Sequence, residues 1–160
     1  MDAAAALHAL AAGAIEAWPG LPPGLDRDTI DAALDGEGAG PEETMTLAGA
    51  VATVRTYPPT AGAPFGIRAW FEGDQVVALD IREPVLGGPY EDLLGEPEAD
   101  APSGLGGSYR QLVYASRGLT LHVSAGTVRH LYAYAPCTAE QFLASPLAEV
   151  EVRRIRRPLG

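Results

Sequence analysis

Two stretches of the chain share the same alternation of apolar and polar residues, and each predicts a β-hairpin. The first begins at Gly66 and the second at Gly118, so they stand 52 residues apart along the sequence. In each, two apolar-rich runs flank a short polar segment, Glu72–Gln75 in the first and Ser124–Thr127 in the second, which is typical of a hairpin turn. A pattern that returns at a fixed offset indicates two structural units of the same kind.

Further elements precede each hairpin in the same order. The alternating runs Val51–Tyr57 and Tyr109–Tyr114 each predict a strand, and short helical segments stand ahead of them at Thr29–Leu34 and Tyr90–Leu94. The chain is therefore expected to be an α+β protein. Two tandem helix-β-β-β units form an antiparallel sheet with helices on one side, plus an N-terminal helix and a C-terminal strand.

The segments outside the units complete one compact domain. Residues 2–17 predict a helix, Thr138–Gln141 has the form of a capping box, and Leu147–Ile155 predicts a last strand along an edge. The predicted divisions are an N-terminal helix and linker (1–24), unit one (25–84), unit two (85–136) and a C-terminal helix and strand with an Arg-rich tail (137–160).

The composition limits the classes of partner and the cellular compartment that can be expected. The net charge is −10, which argues against nucleic acid and anionic membranes as partners. All eleven basic residues are arginine, which indicates a high-GC bacterium such as an actinomycete. A single cysteine, Cys137, excludes an internal disulfide, and no targeting signal or membrane span is visible. A cytoplasmic protein is therefore expected.

One short motif carries a family resemblance. Leu94–Pro97 has the sequence Leu-Gly-Glu-Pro, followed by the strand Tyr109–Tyr114 and the hairpin from Gly118. This order resembles the SmpA/OmlA-like repeat of bacterial outer-membrane assembly lipoproteins, and a tandem pair of such units resembles the β-lactamase inhibitor protein fold. In unit one, Leu34–Glu37 stands where the motif would be. The resemblance implies a small α+β protein-binding or scaffold module, usually without catalysis.

No strong catalytic, cofactor or metal motif occurs in the sequence, so no cofactor is expected. The histidines depend on the hairpin register. If Ala125–Gly126 is the turn, uninterrupted pairing places His122 and His130 on opposite faces of the sheet. A joint zinc site is then excluded, because zinc ligands must converge on one point.

The same register places His130, Tyr132 and Tyr134 in a row on an apolar face, and Asp80 and Arg82 stand at matching places in the first hairpin. An apolar face with a few polar groups can line a pocket. In such a pocket His130 would act as general acid or base, Asp80 would orient it, and Tyr132 would donate to an oxyanion, with Arg82 and Tyr134 binding the ligand. Alternatively, the tyrosines pack their rings, Asp80 pairs with Arg82, and His130 is a hydrogen-bonded core residue.

Trp70 is the remaining candidate binding residue. An exposed tryptophan would anchor a partner protein, whereas a buried one belongs to the core. Because both faces of the first hairpin carry apolar residues, a partner protein or a homodimer is expected. Two functions stay open: a non-catalytic intracellular interaction protein (inhibitor, immunity or scaffold type), or a small-molecule enzyme or binder of actinomycete secondary metabolism (cyclase or isomerase type) that holds a small apolar ligand on the sheet face. A cavity containing His130 and Asp80 would favour the enzyme.

Overall fold

The computed structural model describes residues 2–47, 50–103, 108–145 and 147–148. The α-helices within these ranges are α1 (Ala3–Ala11), α2 (Arg27–Ala33), α3 (Tyr90–Leu94) and α4 (Ala139–Leu143). The strands are β1 (Glu43–Leu47), β2 (Ala50–Thr56), β3 (Ile67–Glu72), β4 (Gln75–Arg82), β5 (Ala99–Pro102), β6 (Arg110–Tyr114), β7 (Leu119–Ser124) and β8 (Thr127–Ala133). Apart from its first two positions, the predicted strand Leu147–Ile155 lies outside the described residues.

All eight strands form one antiparallel sheet in the order β1-β2-β3-β4-β8-β7-β6-β5. The predicted α+β class with one antiparallel sheet is confirmed. The first half of the order is unit one and the second half is unit two in reverse, so β4 and β8 meet at the centre. Asp80 faces Tyr132, the residue 52 positions later, at this junction.

Each unit contains one strand more than the sequence predicts. The additional strands, β1 and β5, lie at the two edges of the sheet. β5 is only four residues long, with the sequence Ala-Asp-Ala-Pro, and Asp and Pro are poor strand formers. An edge strand tolerates such residues because one side of its backbone has no neighbouring strand to pair with.

Side-chain caps determine where several helices begin. Asp2 accepts a hydrogen bond from the backbone of Ala5 at 2.8 Å, which starts α1. Thr138 and Gln141 form the predicted capping box of α4. The N-terminal helix is shorter than predicted, since it ends at Ala11, ahead of a glycine that weakens helices. A single turn of 3₁₀ helix, Ile15–Ala17, follows it.

The helices α1, α2 and α3 cover one face of the sheet, which we call the helix face. Leu7 and Leu10 of α1 and Ile30 of α2 are fully buried against it. The sheet contributes apolar side chains from both units to this core: Ile67, Ala69, Phe71, Leu79, Ile81, Leu119, Leu121, Leu131 and Ala133. Burial of each large apolar side chain contributes roughly 1.5–3 kcal/mol, so this core determines which side of each strand faces inward.

The opposite side of the sheet, the far face, is also partly covered. In unit one it carries an apolar cluster around Trp70 and Val54. In unit two, Phe142 of α4 stacks on the ring of Tyr134 with centroids 4.6 Å apart. The short α4 therefore lies on the far face, and both faces of the sheet bury apolar side chains, as the two-sided apolar pattern indicates.

Each hairpin contains a register shift at the same place. The shift lies between Trp70 and Phe71 in β3, and between His122 and Val123 in β7, 52 residues later. A β-bulge of this kind places two residues of one strand opposite one residue of its partner. Side chains beyond the bulge then change faces relative to uninterrupted pairing.

The predicted register of the second hairpin was therefore wrong beyond its first pairs. His122 faces His130, so the two histidines lie on the same face rather than on opposite faces. The shift brings Leu121 opposite Leu131, so the apolar residues of both strands face the helices. Uninterrupted pairing would instead have turned His130 into the apolar core, at a cost in desolvation.

Candidate functional site

The junction of β4 and β8 brings the predicted catalytic residues together on the far face. Asp80 lies opposite Tyr132, and Arg82 lies opposite His130. Nδ1 of His130 is 3.4 Å from Oδ1 of Asp80, and the rings of His130 and Tyr132 stack with centroids 6.2 Å apart. His130, Asp80 and Tyr132 therefore lie close together, although the register predicted from the sequence was different.

Asp80 is the buried anion of this cluster. It is only 3% exposed, and Nη1 of Arg68 lies 3.7 Å from its second carboxylate oxygen. A buried carboxylate requires such partners because removing a charge from water is costly. Asp80 therefore holds Arg68 and His130 beside each other. Arg68 was not among the predicted site residues, although it faces Asp80 directly in the β3–β4 register.

His122 lies opposite His130 and is buried in the sheet. Its Nδ1 is 2.8 Å from the hydroxyl oxygen of Ser103, and its ring meets the ring of Tyr132 edge-on at 5.3 Å. Burial, together with the nearby charge of His130, lowers the pKa of His122 to about 4, and Asp80 opposes this shift. His122 is therefore neutral near pH 7.

Two of the predicted binding residues lie in the core of the far face. The hydroxyl of Tyr134 donates to the carbonyl oxygen of Leu119 at 3.0 Å and lies 2.9 Å from the hydroxyl of Thr120. Burial raises the pKa of Tyr134. Trp70 is 2% exposed, beside Val54. Neither side chain reaches the surface, so the core interpretation holds for both.

Arg82, the third predicted binding residue, is exposed. Its guanidinium carbon lies 4.7 Å from the ring centroid of Phe65, which is itself 54% exposed. Val85, also 54% exposed, donates its backbone N–H to Gly62 in the loop that carries Phe65. Within the part of the chain that the structure describes, Arg82 makes no hydrogen bond and no ion pair. We call Phe65, Arg82 and Val85 the arginine–aromatic patch.

Phe65 and Val85 were not among the residues predicted from the sequence, because both lie in loops. Phe65 lies between β2 and β3, and Val85 lies between β4 and α3. Pro58, Pro59 and Pro64 mark the segment around Phe65 as a loop, and loops have no alternation from which exposure can be predicted. The only available signal was an aromatic residue in a loop otherwise composed of small residues, prolines and a threonine.

Three clefts are lined by described residues, and none of these three contains His130 or Asp80. The most apolar, with a volume of about 470 Å³, lies beside α3 on the helix face of unit two. We call it the unit-two cleft. Its lining residues are Tyr90, Glu91, Gly95, Glu96, Pro97, Asp100, Arg110, Leu112, Tyr114 and Val123.

Among the described residues, no group of three or more His, Cys, Asp or Glu side chains is placed to hold a metal ion. No helix in these ranges combines the length and the apolar character needed to cross a membrane. Comparison with protein-family models, curated proteins and solved structures finds no match to this chain. The patch, the cluster and the cleft are therefore the features from which a function is inferred.

Proposed function

We propose that this protein is a non-catalytic interaction protein of the inhibitor, immunity or scaffold type, and that the arginine–aromatic patch contacts its partner. The observation that carries this proposal is the exposed guanidinium of Arg82 on the exposed ring of Phe65. Arginine and aromatic side chains are the residues that most often dominate the binding energy of protein interfaces. Val85, whose backbone N–H donates to Gly62 in the loop that carries Phe65, is a second exposed apolar residue.

The charges near the patch indicate the chemistry of the partner. Arg68 and His130 lie partly exposed on the same face as Arg82, and Asp80 is buried between them. A chain with a net charge of −10 thus presents two arginines in one small area. Arginine binds carboxylates through paired, charge-assisted hydrogen bonds. The partner is therefore a protein surface that offers a carboxylate beside apolar groups.

The cluster at the junction supports a structural role more than catalysis. Asp80 faces both His130 and Arg68, so its carboxylate is already engaged by two side chains. His122 is hydrogen bonded to Ser103, and its lowered pKa makes it a poor general base near pH 7. The single cysteine fits a reducing compartment, so we place the interaction in the cytoplasm.

Site-specific photo-crosslinking tests the proposal. A benzophenone amino acid at position 65, introduced into the full chain in the source organism, should capture one partner protein. The purified partner should then bind the wild-type chain, and Arg82→Ala should weaken that affinity about 30-fold, as expected for a residue that dominates an interface. The matched control is Arg117→Ala, since this arginine donates to a backbone oxygen at Glu16 and lies outside the patch.

Three results would overturn the proposal. The first is a captured protein whose affinity is unchanged by Arg82→Ala. The second is equal weakening by Arg117→Ala, which would show a general charge effect rather than a specific contact. The third is crosslinking only to a second copy of this chain, which would assign the patch to self-association.

A further inference from the structure

The two units cover the same part of the helix face differently. In unit one, α2 buries Ile30 completely and places the guanidinium of Arg27 4.1 Å from the ring centroid of Phe71. In unit two, α3 is two residues shorter and contributes no buried residue. Val123, which stands 52 positions after Phe71, lines the unit-two cleft instead.

The floor of the unit-two cleft is apolar and partly aromatic. Leu112 and Val123 belong to the helix-face core and are reached from the cleft. The hydroxyl of Tyr114 donates to the carbonyl oxygen of Gly95 at 3.0 Å, and burial raises the pKa of Tyr114 to about 12. Burial also raises the pKa of Tyr90. Both phenols are therefore neutral at physiological pH and add polarity without charge.

The rim of the cleft is negatively charged. Asp100 is neutralised by Arg110, whose Nε donates to it at 2.8 Å. Glu91 and Glu96 remain as two exposed carboxylates beside the apolar floor. The rim thus carries two negative charges in excess next to two tyrosine rings, and the faces of such rings also attract cations.

We infer that the unit-two cleft binds a small organic cation, an amine with an apolar aromatic or aliphatic body. The apolar body lies against Leu112 and Val123, and the ammonium group faces Glu91 and Glu96. A cleft of about 470 Å³ has the size of a small-molecule site, and its lining combines an apolar floor with charged groups. The cleft is on the helix face, so this inference is independent of the arginine–aromatic patch on the far face.

A matched series of probes tests the inference on the full chain. The ¹⁵N-labelled protein is titrated at low ionic strength with 4-phenylbutylamine, 4-phenylbutan-1-ol and 4-phenylbutyrate, and binding is followed through backbone amide shifts. We expect saturable shifts at Leu112 and Val123 with the amine. The alcohol should bind about 25-fold more weakly, because it loses two contacts between unit charges and each contributes about a factor of five in water, and the carboxylate should bind more weakly still.

Two variants and one control separate the effect of the rim charge from the effect of the shape of the cleft. Glu96→Gln should weaken binding of the amine about fivefold and leave the alcohol unchanged, whereas Glu72→Gln, on the exposed end of β3, should change neither. Val123→Phe gives unit two the residue that unit one carries at the matching position. It should fill the cleft and reduce binding of the amine more than tenfold, with a thermal melt to check folding.

The inference fails if the amine and the alcohol bind equally, since the rim charge would then have no role. It also fails if Glu96→Gln and Glu72→Gln have the same effect, or if the shifts caused by the amine lie outside the cleft. Should Val123→Phe not fold, the comparison of Glu96→Gln with Glu72→Gln still decides the question.

Discussion

The buried histidine His122 makes the stability of the protein depend on pH in a defined direction. Burial lowers its pKa from 6.5 to about 4 in the folded chain. Between these pH values the unfolded chain binds more protons than the folded chain, so the free energy of unfolding falls as the pH falls. The stabilisation is complete above pH 6.5. Its loss is about 2 kcal/mol at pH 5 and reaches about 3 kcal/mol below pH 4.

Urea unfolding at pH 7.5 and pH 5.0, followed by the fluorescence of the two buried tryptophans, measures this term. At pH 5.0 most carboxylates remain ionised, so histidine dominates the difference. His122→Asn preserves a polar side chain beside Ser103 but cannot be protonated in this range. Its free energy of unfolding should therefore change about 2 kcal/mol less between the two pH values than that of the wild type. His8→Asn replaces an exposed histidine and is the matched control.

The reasoning about His122 would be refuted if His122→Asn and the wild type lost the same free energy between pH 7.5 and 5.0. It would also be refuted if the ring resonances of His122 titrated near pH 6.5, because burial beside His130 and Tyr132 would then impose no cost on the charged form.

Two further predictions each compare a pair of substitutions. Tyr57→Phe removes a hydroxyl that donates to the carboxylate of Asp31 at 2.5 Å, so it should lower the free energy of unfolding by about 2 kcal/mol, whereas Tyr114→Phe removes a neutral hydrogen bond and should cost about 1 kcal/mol. Equal losses in urea unfolding would contradict the assigned role of the charge. Gly118 has a φ of +68°, and an added Cβ would lie 2.2 Å from the carbonyl oxygen of Tyr134. Gly118→Ala should therefore lower the melting temperature far more than Gly126→Ala, which has a similar φ but nothing within 4 Å.

The sequence predicted the elements whose pattern is local. Alternation along each hairpin places the strands correctly, and the capping box of Thr138 and Gln141 starts α4 where expected. The bulge was missed because it depends on the helices that pack on the sheet. A signal was nevertheless present: Leu131 is out of phase with Leu121 when pairing is counted without interruption, and burying both requires one additional residue.

The candidate sites were predicted less completely, for similar reasons. The offset of 52 residues correctly indicated that Asp80 and His130 come close, because both lie on strands at the centre of the sheet. It gave no information about Phe65, which reaches Arg82 from a loop. The unit-two cleft depends on how far α3 extends over the sheet, and helix packing of that kind leaves no pattern in the strands themselves.

The pairing of Asp80 with Tyr132 has a consequence for the symmetry of the protein. These residues occupy the same position of two like units and face each other across the junction. In a homodimer of a single ancestral unit, this position would face its own copy, and two buried aspartates there would repel each other. Within one chain this constraint is absent, because the two positions can carry different residues. A buried anion with its own arginine and histidine is thus an asymmetry that a pair of identical units could not carry.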